Sequence, residues 1–230
     1  MNITVTTQEE FDAIQEDFDG TILIKNAQDN IEITPRKNAL IKVYEYSEVT
    51  LYKDSSAELY DNSTASLYDN SRADLYNHSE AKLYNVSDAK LHDDSHAELY
   101  DNSSAMLLDD SHAALHENSS ADLYNNSLAY LYNNSSAVLF DTSDVLLFNK
   151  SSAELLGNSH AELRDNSRAD LRDNSSAALW GNSRAVLWSN SRAALNENSS
   201  AVLWDNSSAE LWDNSSAKLR DNAKIKEDHR

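Results

Sequence analysis

Asp205-Asn206-Ser207-Ser208-Ala209-Glu210-Leu211-Trp212 reads DNSSAELW, and variants of these eight letters fill most of the chain. Counted from Ile41, the octad runs in unbroken phase to Lys224, which makes 23 copies without an insertion. Position 1 is Ala from Ala57 to Ala217 except at Val145, position 3 is Leu after Val43, and position 7 is Ser from Ser47 to Ser215. Positions 5 and 6 are mostly Asp-Asn or Asn-Asn, while positions 2, 4 and 8 vary among charged, aromatic, small and aliphatic residues. Fixed letters therefore alternate with free ones.

That period-two alternation predicts a strand, Ser-x-Ala-x-Leu-x, and the Asx pair predicts a corner, because Asn and Asp tolerate left-handed backbone. A helix is excluded: an octad drifts against a 3.6-residue turn, and Asn-Ser every eight residues interrupts it. What remains is an all-β fold, a β-solenoid of stacked short strands. The variable letters do not decide whether two or three octads close a coil. His96 with His112, and Ser104, Ser120, Ser136 and Ser152, favour a lag of 16, whereas Trp180/Trp204 and Trp188/Trp212 favour 24. Packing favours two. Strands facing each other across a flat coil run in opposite directions, so Ser and Leu of one octad meet Leu and Ser of the next and every layer fills evenly. Three walls would enclose a wider triangle that these side chains fill poorly. Two octads per coil predict about 11 to 12 coils and, at about 4.8 Å per layer, a rod roughly 55 Å long.

Residues 1–40 read as an N-terminal cap over an open sheet edge. Thr7-Gln8-Glu9-Glu10 is a capping box, Phe11, Ile14 and Phe18 predict one apolar face of a helix over about 7–18, and Asp19-Gly20 ends it. Two irregular strands, Thr21–Ile24 and Ile31–Ile33, lead into the solenoid of 41–224. Residues 225–230 form a tail, with alternation kept as far as Lys226.

Composition narrows the function. The formal net charge of −20 argues against direct contact with nucleic acid or an anionic membrane and suits a basic protein partner. There is no Cys, and no apolar run approaches the roughly 20 residues needed to span a bilayer. The acidic N-terminus is unlike a signal peptide, so the expectation is a soluble cytoplasmic protein.

Ala121–Asn125 (ADLYN) and Ala169–Asp173 (ADLRD) resemble the A(D/N)LXX unit of pentapeptide-repeat proteins, over five residues in each eight. That resemblance implies a β-helix and, by analogy, an acidic mimic of DNA; a period of eight departs from that family's twenty-residue coil. The recurring Ser and paired octads are similar to the 16-residue coils of bacterial ice-nucleation solenoids, but their outward Thr-x-Thr rows are absent. The chain also resembles uncharacterised bacterial and phage octad-repeat proteins, which implies no activity.

No residue set predicts catalysis. A nucleophilic Ser needs one singular constellation, whereas this Ser recurs in nearly every copy and points inward, where its hydroxyl is expected to bond to neighbouring coils. The corner Asp columns lack the Gly-rich nonapeptide of calcium-binding rolls, and His96 with His112 have no third ligand in view, so no metal and no cofactor are expected. Asn-x-Ser/Thr triplets such as Asn62-Ser63-Thr64 are by-products of the turn. The candidate site is apolar: Leu128, Tyr130, Tyr132, Leu146 and Phe148 share one face, and Val186, Trp188, Val202 and Trp204 share the other. Contiguous exposed apolar side chains on a charged surface mark contacts, so the expectation is a non-enzymatic scaffold that pairs as a homodimer. The alternatives are a DNA-mimic inhibitor of a basic protein and a carbohydrate-binding module that uses the aromatic ladder. Arginines gather late, at Arg164, Arg168, Arg172, Arg184, Arg192 and Arg220, which leaves the first half more acidic.

Overall fold

The computed structural model describes residues 1–36 and 38–230. It comprises two compact units, Met1–Ala113 and Ala114–Arg230. Each is a parallel β-solenoid in which two octads close one coil.

In Met1–Ala113, strands beginning at Ser56, Arg72, Asp88 and Ser104 stack in one sheet, and strands beginning at Glu48, Thr64, Glu80 and His96 stack in the other. Partners lie 16 residues apart, as in Ala57↔Ala73 and Ala65↔Ala81. In Ala114–Arg230 the same spacing pairs Ala121 with Ala137 and Ala129 with Val145. A three-octad coil is thereby excluded. Most octad strands are four residues long, x-Ala-x-Leu. The ladder extends one residue beyond each end, since Tyr60 N–H donates to Val43 C=O and Thr64 N–H to Ser47 C=O.

Each corner is a four-residue turn. Ser63 N–H closes it on Tyr60 C=O at 3.2 Å, and Asp61 sits at φ +62°. Position 5 has positive φ in every octad from Glu45 to Asp221, whereas position 6 does so only at Lys150. Positive φ at the first central residue alone is the pattern of a type II′ turn, which turns the chain tightly with Asx or Gly at that place. Inside, Leu at position 3 is fully buried from Leu51 to Leu203, and Ala and Ser fill the rest. Each such Leu contributes about 1.5–3 kcal/mol of burial.

The cap differs from its sequence reading. The α-helix (α1) covers only Gln8–Asp12, with Thr7 as its N-cap, rather than 7–18. The chain leaves the helix at Ala13 because it must turn back to lay a strand beside its own start: Asn2–Val5 (β1) pairs in parallel with Asp19–Lys25 (β2). Asp19-Gly20 therefore opens a strand rather than ending a helix. Gly20 is required there, since a Cβ would lie 2.4 Å from Met1 O and 2.8 Å from the Phe18 ring. Phe11 and Ile14 are buried and Phe18 is half-buried.

Ile31–Ile33 (β3) and Asn38–Tyr44 (β4) continue the two sheets. Ile22 pairs with Ile41 and Ile31 with Val49, so the first coils take 19 and 18 residues. At the other end the expected tail is part of a strand, Lys224–His229, which pairs with Ser208–Trp212 through an irregularity at Ala209/Glu210.

Candidate functional site

Because Ala, Leu and Ser point inward, each unit shows the outside world only positions 8, 2 and 4 of its strands and the two corner residues. These form straight columns.

Position 4 builds stacked rings beside the corners. Tyr44, Tyr60, Tyr76 and His92 follow one another at 4.7–4.9 Å between centroids. Tyr52, Tyr68, Tyr84 and Tyr100 do so at 4.9–5.5 Å on the other sheet. In the second unit His116, Tyr132 and Phe148 stack, and so do Trp188 and Trp204 at 5.1 Å. Offset-stacked rings contribute about 0.5–1.5 kcal/mol per pair beyond burial.

The predicted apolar residues fall on two faces of the second unit. Tyr130 and Leu146 are register partners, and Phe148 stacks on Tyr132, but Leu128 lies opposite Asp144. Val186 and Val202 are partners on the other sheet, beside the two tryptophans. The tryptophan rings face each other, and the Arg220 guanidinium lies 5.7 Å from the Trp204 ring centre.

Corner aspartates do more than accept positive φ. The side chain at position 5 accepts the backbone N–H of position 5 one coil earlier: Asp101 Oδ2 from Asn85 at 3.0 Å, Asp205 Oδ2 from Ser189 at 3.0 Å, Glu197 Oε2 from Gly181 at 2.7 Å. The turn leaves that N–H outside the strand ladder, so a column of Asx side chains supplies its acceptor. Sequence reading assigned these residues to turn formation and missed this second role; the signal was the persistence of Asp or Asn where Gly would serve φ better.

The buried serines were expected to bond to neighbouring coils. Most of those bonded reach instead their own turn, as Ser103 Oγ does to Tyr100 C=O at 2.7 Å. A few reach the position-3 carbonyl twenty residues earlier, such as Ser79 to Leu59.

Two titratable clusters stand out. Lys42 Nζ lies 2.8 Å from Glu58 Oε2, which also accepts from Tyr60 Oη at 2.6 Å. Burial raises the Glu58 pKa, but hydrogen bonds from Lys42 and Tyr60 outweigh it and hold the carboxyl below its usual range. Burial and the bond to Glu58 push the Tyr60 phenol up to about 12. His96 and His112 sit 5.6 Å apart with tilted rings. Burial, and then the charge of His112, lower the His96 pKa. Among the described residues no three His, Asp or Glu side chains come together as a metal site.

Open grooves run between columns 8 and 2. One of about 340 Å³ is walled by Glu48, Glu80, Lys82, His96 and Glu98. Another, of about 630 Å³, lies between Arg168 and Arg184 on one side and Asp170, Val186, Val202 and Lys218 on the other. No described helix is long and apolar enough to cross a membrane. No family model, no curated protein and no solved structure matches the chain.

Proposed function

We propose that the chain is a non-enzymatic structural or interaction scaffold, an acidic β-solenoid that works in the cytoplasm and associates with a second copy of itself. The observation that carries this reading is the pairing of outward apolar side chains on adjacent strands, exposed Tyr130 beside half-buried Leu146 and half-buried Val186 beside half-buried Val202, on an otherwise polar repeat. The uniform columns support it further, since a repeated wall offers surface rather than a single reacting centre.

Cross-linking of purified chain at graded concentrations tests it. Wild type is expected to give a dimer band that Tyr130→Asp with Leu146→Asp, or Val186→Asp with Val202→Asp, removes. Absence of any concentration-dependent product refutes it.

A second reading is favoured by charge: Met1–Ala113 holds 23 acidic and 8 basic residues. Such a surface suits an inhibitor that competes with DNA for a basic protein. Its test is salt-sensitive retention of a DNA-binding protein on immobilised chain, and no retention at low salt refutes it.

A further inference from the structure

Arg168 and Arg184 are register partners on adjacent strands, both exposed, and neither joins an ion pair among the described residues. Like charges placed directly opposite each other in a sheet repel and destabilise it. The chain has 39 acidic and 19 basic side chains, so carboxylates to separate these guanidiniums were plentiful. Nearby arginines do find them: Arg172 pairs with Glu154 at 3.2 Å and Arg164 with Glu162 at 3.5 Å. The two arginines, followed by Ser200 and Ser216, form one wall of the 630 Å³ groove, with Asp170, Val186, Val202 and Lys218 forming the other and alanines the floor. Just past the ends of the strands Arg184–Leu187 and Ser200–Leu203, Trp188 and Trp204 stack on each other. Three cationic side chains, Arg168, Arg184 and Lys218, against the single carboxylate of Asp170 leave the groove net positive, with the two valines for apolar contact.

A complement lies in the other unit. Of the 23 octads, two have aspartate at both corner positions, Asp93-Asp94 and Asp109-Asp110, and these are one coil apart. All four residues are exposed, and Asp93 and Asp109 take positive φ at their turns. Corner row and arginine row advance by the same strand separation, about 4.8 Å per coil. Two carboxylate pairs one coil apart therefore match the spacing of two guanidiniums, although Asp93 Oδ2 already accepts the Asn77 N–H and Asp94 Oδ2 lies 3.7 Å from His78 Nε2.

We propose that the Arg168/Arg184 groove is the docking site for the Asp93–Asp94 and Asp109–Asp110 corner of a second copy of this chain. The proposal rests on the self-association reading and names its contact. It joins unlike surfaces, so association closes when the contact is reciprocated and propagates when it is not.

Sedimentation equilibrium of the full chain at low and high salt tests it, with circular dichroism confirming that each variant is folded. The variants are Arg168→Glu with Arg184→Glu, Asp94→Arg with Asp110→Arg, and all four together. Asp93 is left intact because its Oδ2 accepts the Asn77 N–H. Wild-type association is expected to weaken as salt rises, each two-residue reversal to weaken it at least about tenfold, and the fourfold variant to recover most of the loss. Association that is indifferent to the reversals, or a fourfold variant no better than its parents, overturns the proposal. Association that strengthens with salt and is lost in Val186→Asp with Val202→Asp also overturns it while sparing the self-association reading. A monomer under every condition removes both.

Discussion

Replacing Asp101 by Ala, Gly and Asn separates the two duties of the corner column. Asp101 stands at φ +60° and its Oδ2 accepts the Asn85 N–H at 3.0 Å. Alanine loses the hydrogen bond, about 0.5–1.5 kcal/mol at a partly exposed site, and keeps a left-handed backbone that costs a non-glycine residue about 1–2 kcal/mol. Aspartate already bears part of that backbone cost, so Asp101→Ala is expected to destabilise by about 2 kcal/mol. Glycine loses the same bond but relaxes the backbone, which leaves a loss of about 1 kcal/mol after its entropy is counted. Asn retains both duties and should match wild type closely. Urea titration ranks the variants, and amide hydrogen exchange at Asn85 reads the bond itself, without assuming that a repeat array unfolds in one step. Exchange at Asn85 should accelerate in both Ala and Gly and stay slow in Asn. The reasoning fails if Gly is as damaging as Ala, or if Asn85 keeps its protection in either.

Leu139→Ala, which truncates a fully buried side chain, should cost about 2.7–5 kcal/mol and raise exchange most in the coils of its register partners Leu123 and Leu155. Tyr60 and Tyr100 should ionise near about 12 rather than 10 in a spectrophotometric titration, Tyr100 chiefly through its hydrogen bond to Glu98 and then burial. Because the folded pKa is raised, the stability these phenols contribute is complete below pH 10 and is lost as pH rises towards 12; Tyr60→Phe should shrink the late phase of the titration. His96 has the opposite sense. Its folded pKa is lowered, so its contribution is complete above about 6.5 and lost as pH falls below that, and His96→Gln should flatten thermal stability across this window.

Octad periodicity made the repeated core legible: Ala, Leu and Ser at alternate positions can all be buried only in a strand. Coil size was harder. Trp188 resembles Trp212 at a lag of 24 yet stacks on Trp204 at 16, since likeness between copies follows duplication and not contact. The deciding information was the packing of Ser and Leu across a flat coil. The ends were less legible because the phase breaks there: pairings at 19 and 18 residues hide Asn2–Val5 and the start of Asp19–Lys25 from any search at eight. The His229 ring stacks on Trp212 at 3.8 Å, a contact in a stretch whose sequence carries no repeat. At the candidate site, sequence placed Tyr130 with Leu146 and Val186 with Val202, because a 16-residue coil fixes register. It did not show that the tryptophans face each other, or that Arg168 and Arg184 form no ion pair among the described residues, since those depend on side-chain direction.

The central claim is that the variable columns of this solenoid serve association with a second copy. Sedimentation equilibrium of the purified wild-type chain over a wide concentration range tests it most directly. The account predicts a mass that rises with concentration from the 25.7 kDa of one chain to at least twice that value. A mass of 25.7 kDa at every concentration would contradict it.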